Sequence, residues 1–148
     1  MDFNKMTQKT QEALHQAQST ALLHEMTVFS GEHLLLALLE QSEGLVPRLY
    51  SKMDVPVENL RAELEAELQK RPSISGPGTE AGKIYVTQRL NRILIKAEEE
   101  AKRLKDEYVS VEHLALALMD EGTTTEAGRI FKSFDITRDR FLQALTEV

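Results

Sequence analysis

The phrase SGEHLLLALLE (30–40) returns eighty residues later as SVEHLALALMD (110–120), and this repetition constrains the fold more than any other feature. A repeated phrase must be read for its period before anything else, because a missed repeat misreads the whole architecture. Aligning residues 6–40 with 86–120 at a constant offset of 80 needs no gap and gives 12 identities in 35 positions. Composition alone would give roughly 2 or 3. The matches include Thr7/Thr87, Leu14/Leu94, Ala17/Ala97, Ala21/Ala101 and the Glu-His-Leu triplet itself. With one residue inserted, RLYSKMDV (48–55) then faces RIFKSFDI (129–136). The chain is a tandem duplication, with one unit over about 1–70 and the other over about 83–148.

Both units read as helices. Leu14, Ala17 and Ala21, and in the second unit Leu90, Leu94, Ala97, Ala101 and Leu104, recur at three- and four-residue spacing and give a one-sided apolar face. Thr7 and Thr87 stand where an N-cap hydroxyl belongs. The segments holding Leu34–Leu39 and Leu114–Met119 are apolar on nearly every side, which predicts two central, buried helices. Shorter helices are expected to begin near Pro47 and Thr125, followed by Val57–Lys70 and Thr137–Val148, with Pro56 opening the former. No strand pattern is visible. RPSISGPGTEAG (71–82), rich in Pro, Ser and Gly, predicts a mobile loop between the units. A unit of about 65 residues has a thin core. The expectation is therefore an all-α fold over 1–148, one domain of two pseudo-twofold-related four-helix repeats packed on each other.

Composition narrows the function. The chain has 148 residues and no cysteine, so disulfides, thiolate nucleophiles and thiolate metal sites are excluded, and a reducing compartment fits. At this length roughly 68–70% of the unfolded surface is buried on folding, so no metal staple is needed. A net charge of −6 with no basic stripe argues against nucleic acid. No apolar run approaches a membrane span, and MDFNKMTQKTQEAL lacks the layout of a signal peptide. A cytoplasmic protein is expected.

Chemistry-bearing residues are few. Gly76 to Ile84 resembles a phosphate-binding loop, but its glycines are one residue too far apart. Pro77 also stands where a glycine is required, and Ile84 replaces the magnesium-binding hydroxyl. His15, His24, His33 and His113 are never three or four apart, so no zinc pair forms. His33 and His113 each follow a serine by one turn, where a half-buried imidazole can bond a nearby carbonyl. Glu32 and Glu112 fall in the first turns of their helices. They either complement the helix dipole or point outward beside the seam between units and receive cationic or amide groups of a ligand. AEEEAKRLKDEY (97–108) reads as mostly a solvated face, with Glu98–Lys102 and Glu99–Arg103 pairs. Adjacent helical residues such as Glu112 and His113 diverge by about 100°, which speaks against a hydrolase built on them. The seam between units is the distinctive feature, because seams bind ligands.

Four stretches carry a resemblance to a known family: FNKMTQKTQEALHQAQ, EHLLLALLEQSEGLVPRL, NRILIKAEEEAKRLKDEYVSVEHL and GRIFKSFDITRDRFLQALTEV. Over essentially all 148 residues the chain resembles the amino-terminal domain of Clp ATPases, most nearly the branch of ClpB-type disaggregase chaperones. The resemblance implies two four-helix repeats tethered to a hexameric AAA+ ring, working with a DnaK-type chaperone system in heat-shock protein disaggregation. It also implies a coiled coil in the parent protein. The domain would bind unfolded or aggregated polypeptide weakly in an inter-repeat groove. Thr7, Asp106 and Glu112 are the residues it implicates in client binding, with Leu14, Leu94, Ile95 and Val109 as apolar groove positions. In ClpC-type relatives, glutamates matching Glu32 and Glu112 receive phosphoarginine-tagged clients. His113 and Lys96 depart from apolar positions of some relatives, which implies a more polar groove. This domain would need no cofactor or metal and would not be an enzyme; ATP and magnesium belong to the ATPase modules. The alternative is a docking or regulatory module that receives a folded adaptor. The isolated domain is expected to be a monomer.

Overall fold

A computed structural model describes residues 3–23, 28–70, 85–86 and 88–148. The expected loop 71–82 with its phosphate-loop-like stretch, His24 and the second N-cap, Thr87, lie outside the described residues. The first unit holds α1 (Gln8–Leu23), β1 (Val28–Phe29), α2 (Gly31–Glu40), α3 (Leu45–Lys52) and α4 (Val57–Lys70). The second holds β2 (Tyr85–Val86), α5 (Gln88–Arg103), α6 (Val111–Met119), α7 (Glu126–Ser133) and α8 (Arg138–Thr146). Short 3₁₀ turns occur at Phe3–Lys5 and Gly122–Thr124. The all-α expectation is met, and Val57–Lys70 falls where the sequence placed it. Among the described residues no helix is long and apolar enough to cross a membrane.

Local chemistry explains the boundaries. Thr7 caps α1, its Oγ1 accepting from the Thr10 backbone N–H at 3.2 Å. Thr125 and Thr137 do the same for α7 and α8, accepting from Gly128 and Arg140. The duplication is written into the helix ends as well. After α3, Asp54 takes φ 61°, and after α7 its counterpart Asp135 takes φ 56°. At each site the next residue bonds back over a full turn, Val55 N–H to the Tyr50 carbonyl at 3.0 Å and Ile136 N–H to the Phe131 carbonyl at 2.8 Å. These left-handed stops satisfy carbonyls that a helix end would otherwise orphan.

Packing follows the twofold relation. α1 lies on α2 and reaches α6, while α5 lies on α6 and reaches α2. α3 meets α6 and α8, and α7 meets α2 and α4. Every residue from Gly31 to Leu39 is buried, as are Val111 and His113 through Leu118, so α2 and α6 are the buried centre that their all-round apolarity predicts. Apolar side chains of both units form one cluster. Within it Tyr50 of α3 meets Phe141 of α8 edge-on, ring centroids 5.7 Å apart.

The structure adds pairings that the sequence reading did not contain. β1 and β2 run parallel, Val28 beside Tyr85 and Phe29 beside Val86. Met6 forms a parallel bridge with Val109. At the repeat offset, Val86 is the counterpart of Met6 and Phe29 the counterpart of Val109, so these are the same pairing made twice. The lead residue of each unit crosses to the other unit. Two-residue strands have no period to betray them.

Two substitutions test this packing. The Tyr50 hydroxyl is fully buried with no hydrogen-bond partner among the described residues, and burial pushes its pKa up. The second unit has Phe131 at the equivalent position. Tyr50→Phe should leave stability unchanged or raise it by about 1 kcal/mol in urea denaturation, since an unsatisfied buried group carries a desolvation cost. Gly128→Ala should destabilise by about 3 kcal/mol, because the added methyl would run into the Gly122 carbonyl oxygen.

Candidate functional site

The candidate residues separate into a seam surface and a core. Thr7 is half-buried at the start of α1, and its backbone N–H donates to the Val109 carbonyl at 3.0 Å. Thr10 spends its hydroxyl proton on the same carbonyl at 2.9 Å, so the Thr7 hydroxyl must donate to Thr10 Oγ1, also 2.9 Å away. Thr7 can therefore offer a ligand only an acceptor. Val109 N–H completes the junction by donating to the Lys5 carbonyl at 2.7 Å. This ties the segment 104–110 of the second unit to the first turn of the chain.

That segment holds the acidic candidates. α5 ends at a left-handed Lys105, φ 62°, and Asp106 N–H bonds back to the Ala101 carbonyl at 2.8 Å. Asp106 is thereby turned to the surface, its side chain 48% exposed. Asp106, Glu112 and His113 bring three potential ligand atoms within 4.8 Å of one another. A metal reading fails on the histidine tautomer. His113 Nδ1 accepts from the Ser110 backbone N–H at 2.8 Å, so that nitrogen carries a lone pair. The proton of a neutral ring must sit on Nε2, which donates to Asp106 Oδ2 at 2.8 Å. No lone pair is left to bind a cation. Glu112 is half-buried and bonds no described residue. The junction thus presents two carboxylates, and the segment that carries Asp106 also exposes Leu104 and Tyr108.

Three expectations about the histidines and glutamates need correction. His33 and His113 are fully buried rather than half-buried, and they accept from backbone N–H groups rather than donate to carbonyls. They occupy the third helical position, where glutamate or glutamine normally reaches back to the N-cap amide. His113 is accordingly no polar element of a surface groove.

Glu32 does not point outward. It is fully buried, and Arg89 of α5 donates to both its carboxylate oxygens at 2.6 Å. The Ala127 backbone N–H, at the start of α7, adds a third bond at 3.0 Å. Arg89 also donates twice to Glu121 at 2.8 Å. Burial works against the Arg89 charge, but the hydrogen bonds to Glu121 and Glu32 outweigh it and push its pKa up. Gly31 makes room for this, since a Cβ there would stand 2.9 Å from Ile93 and 3.0 Å from the Arg89 guanidinium. Glu32 is committed inside the fold, so any phosphoarginine reading loses one of its two glutamates.

The apolar candidates divide similarly. Leu14 and Val109 are core residues rather than groove walls, and Leu94 is half-buried against the same core. Ile95 alone of the four is a surface side chain, 55% exposed. The run 97–108 is mostly solvated, as expected, with Glu100 the charged exception. Glu100 is buried, receives Arg138 at 2.8 and 2.7 Å, and draws Arg103 to 3.3 Å. Arg89, the residue the sequence reading missed, had left one signal. A cation in the first turn of a helix opposes the dipole, which implies a carboxylate partner elsewhere.

With this geometry in hand the chain can be placed. A model of the Clp repeat (R) N-terminal domain matches residues 5–134. The chain belongs to that family, as its resemblance implied. Over 148 residues it is 45% identical to the ClpB chaperone of Nitratidesulfovibrio vulgaris (strain Hildenborough), and 45% to that of Bacillus cereus, in their amino-terminal regions. The chain is covered completely and spans 17% of the length of those relatives. Among solved structures it superposes on the Hsp104 N-terminal domain from Candida albicans with a TM-score of 0.79, at 21% identity, covering 95% of this chain and 88% of that one. The N-terminal domain of the ClpV1 ATPase from E. coli gives 0.79 at 21% identity, covering 95% and 83%. At such identity the likeness is one of fold.

Two measurements test the interior of the site. Arg89→Ala should cost about 3 kcal/mol in urea denaturation, because it strands a buried carboxylate; an unchanged midpoint would refute the role given to the pair. His113→Gln should retain more stability than His113→Ala, since only glutamine can still accept from the Ser110 amide.

Proposed function

We propose that this chain is the client-recruiting domain of a ClpB-type, ATP-dependent protein disaggregase. The carrying observation is the surface at the crossing of the two units, where Asp106 and Glu112 lie close together and the segment that carries Asp106 also exposes Leu104 and Tyr108. Similarity to ClpB over the full chain supports the same reading. Unfolded polypeptide offers what such a surface lacks: unpaired backbone N–H groups and cationic side chains for the carboxylates, apolar side chains for Tyr108 and Leu104. Thr7 adds a single acceptor, and Ile95 extends the apolar contact. Binding of this kind is weak, because both carboxylates remain open to water and screened by salt.

Weak capture suits a domain that must hand its client on. Several copies around a hexameric AAA+ ring raise the effective concentration without any new contact. In this reading the domain has no catalytic residue and needs neither cofactor nor metal. ATP and magnesium act in the ATPase modules of the parent protein, a DnaK-type system cooperates with it, and the setting is the cytoplasm. The partners are unfolded or aggregated polypeptides rather than nucleic acid or membrane, and the isolated domain is a monomer.

The test is a titration of the isotope-labelled chain with a permanently unfolded protein, followed by backbone amide shifts. Shifts should cluster at Thr7, Ile95, Asp106, Tyr108 and Glu112 and be absent with the folded form of the same protein. The double variant Asp106→Ala, Glu112→Ala should weaken binding about tenfold, the scale of losing charge-assisted bonds. If no residue moves at millimolar client, recruitment by this domain fails, and docking of a folded adaptor replaces it as the leading account.

A further inference from the structure

A concavity lies between α5, the end of α6 and the 3₁₀ turn after it, with a volume of about 300 Å3. That is the lower end of the range for ligand pockets. None of the residues assigned above to client binding lines it. We propose that this concavity is a separate binding site for a carboxylate carried by a polypeptide.

Charge is the first argument. The lining contains Arg89, Arg92 and Lys96 against Asp120 and Glu121, three cations and two anions, a local balance of +1 in a chain of net charge −6. Two of the cations are already engaged. Arg89 is held by Glu121 and Glu32, and Lys96 donates to Asp120 at 2.8 Å. Arg92 is exposed and bonds no described residue, so its planar fork of donors stands open at the rim. A carboxylate is the planar, singly charged group that such a fork receives through two parallel hydrogen bonds. A phosphate dianion would meet Asp120 and Glu121 at closer cost. Thr124, exposed on the facing turn, supplies a hydroxyl donor, and Ile93 with Ala117 forms an apolar floor for the stem that carries the acid.

The duplication provides an internal control. At the repeat offset Arg92 becomes Glu12, Lys96 becomes Gln16 and Glu121 becomes Gln41. In the first unit that glutamate lies 3.5 Å from Lys9, and Gln41 donates to the Lys9 carbonyl at 2.9 Å. The same helix face in the first unit is thus closed on itself and carries an acid where the second unit carries an arginine that bonds no described residue. Among the described residues the cationic site belongs to the second unit and has no counterpart in the first.

The source of the carboxylate, a chain terminus or an acidic side chain, is settled by the probes. The isotope-labelled chain is titrated with acetyl-Leu-Ala bearing a free terminal carboxylate, with its terminal amide, and with acetyl-Leu-Ala-Glu-amide. Saturable shifts at Arg92 and Thr124 are expected with one or both acids, the tighter acid naming the source. The amide should bind about tenfold more weakly, as should the Arg92→Gln variant with the acids, while its melting temperature stays unchanged. Glu12→Gln should alter nothing. The proposal is overturned if neither acid produces saturable shifts at millimolar concentration, if the amide binds as well as the acids, or if Arg92→Gln binds normally. The seam surface is untouched by any of these outcomes.

Discussion

Two helices that are apolar on every side cannot be satisfied by one layer of neighbours, and this single constraint organises the molecule. α2 and α6 each need cover all the way round. One unit offers its central helix only α1 or α5 on one flank and a pair of short helices on another. The remaining cover comes from the opposite unit, through α5, α6 and α7 for α2 and through α1, α2 and α3 for α6. The twofold arrangement is the way for each unit to finish the burial that the other begins.

Burial so complete makes any polar group inside it expensive, and the fold gives its buried carboxylates and the Nδ1 atoms of its two buried histidines specific partners. Glu32 sits in the interior with its oxygens divided between a guanidinium and a helix-start amide. The two histidines spend their Nδ1 lone pairs on N-cap amides. Glu100 is neutralised by Arg138. Acidic side chains that look equivalent in the repeat therefore end with opposite roles. Glu32 is structural because Arg89 reaches it, whereas Glu112 stays open because position 9 is a lysine drawn to Glu12.

Much of the fold was legible because its causes are local. Threonine caps, the all-round apolar helices and the repeat offset are properties of neighbouring residues. The crossing of lead segments was illegible because a two-residue strand has no period, and its partner is fixed only by tertiary packing. The fate of Glu32 was hidden for a related reason: its partner lies 57 residues away in the other unit. Of the residues proposed for client binding, Asp106, Glu112 and Ile95 have surface to offer. Leu14 and Val109 were misplaced because an apolar residue at a seam and one in a core carry the same signature in sequence. The histidines were misjudged in direction of bonding, although their third-position spacing from serine held the information.

The exchanged leads also bear on how such a chain arises. Met6 pairs with Val109 and Val86 with Phe29, so neither half owns the partner of its own first strand residue. A lone unit would have to find that partner on a second molecule, and its folding would be bimolecular, failing on dilution. Joining the two copies in one chain turns the encounter into an intramolecular one, at an effective concentration set by the connection. A chain severed between residues 70 and 85 should accordingly behave as two complementing fragments, each the obligate template of the other.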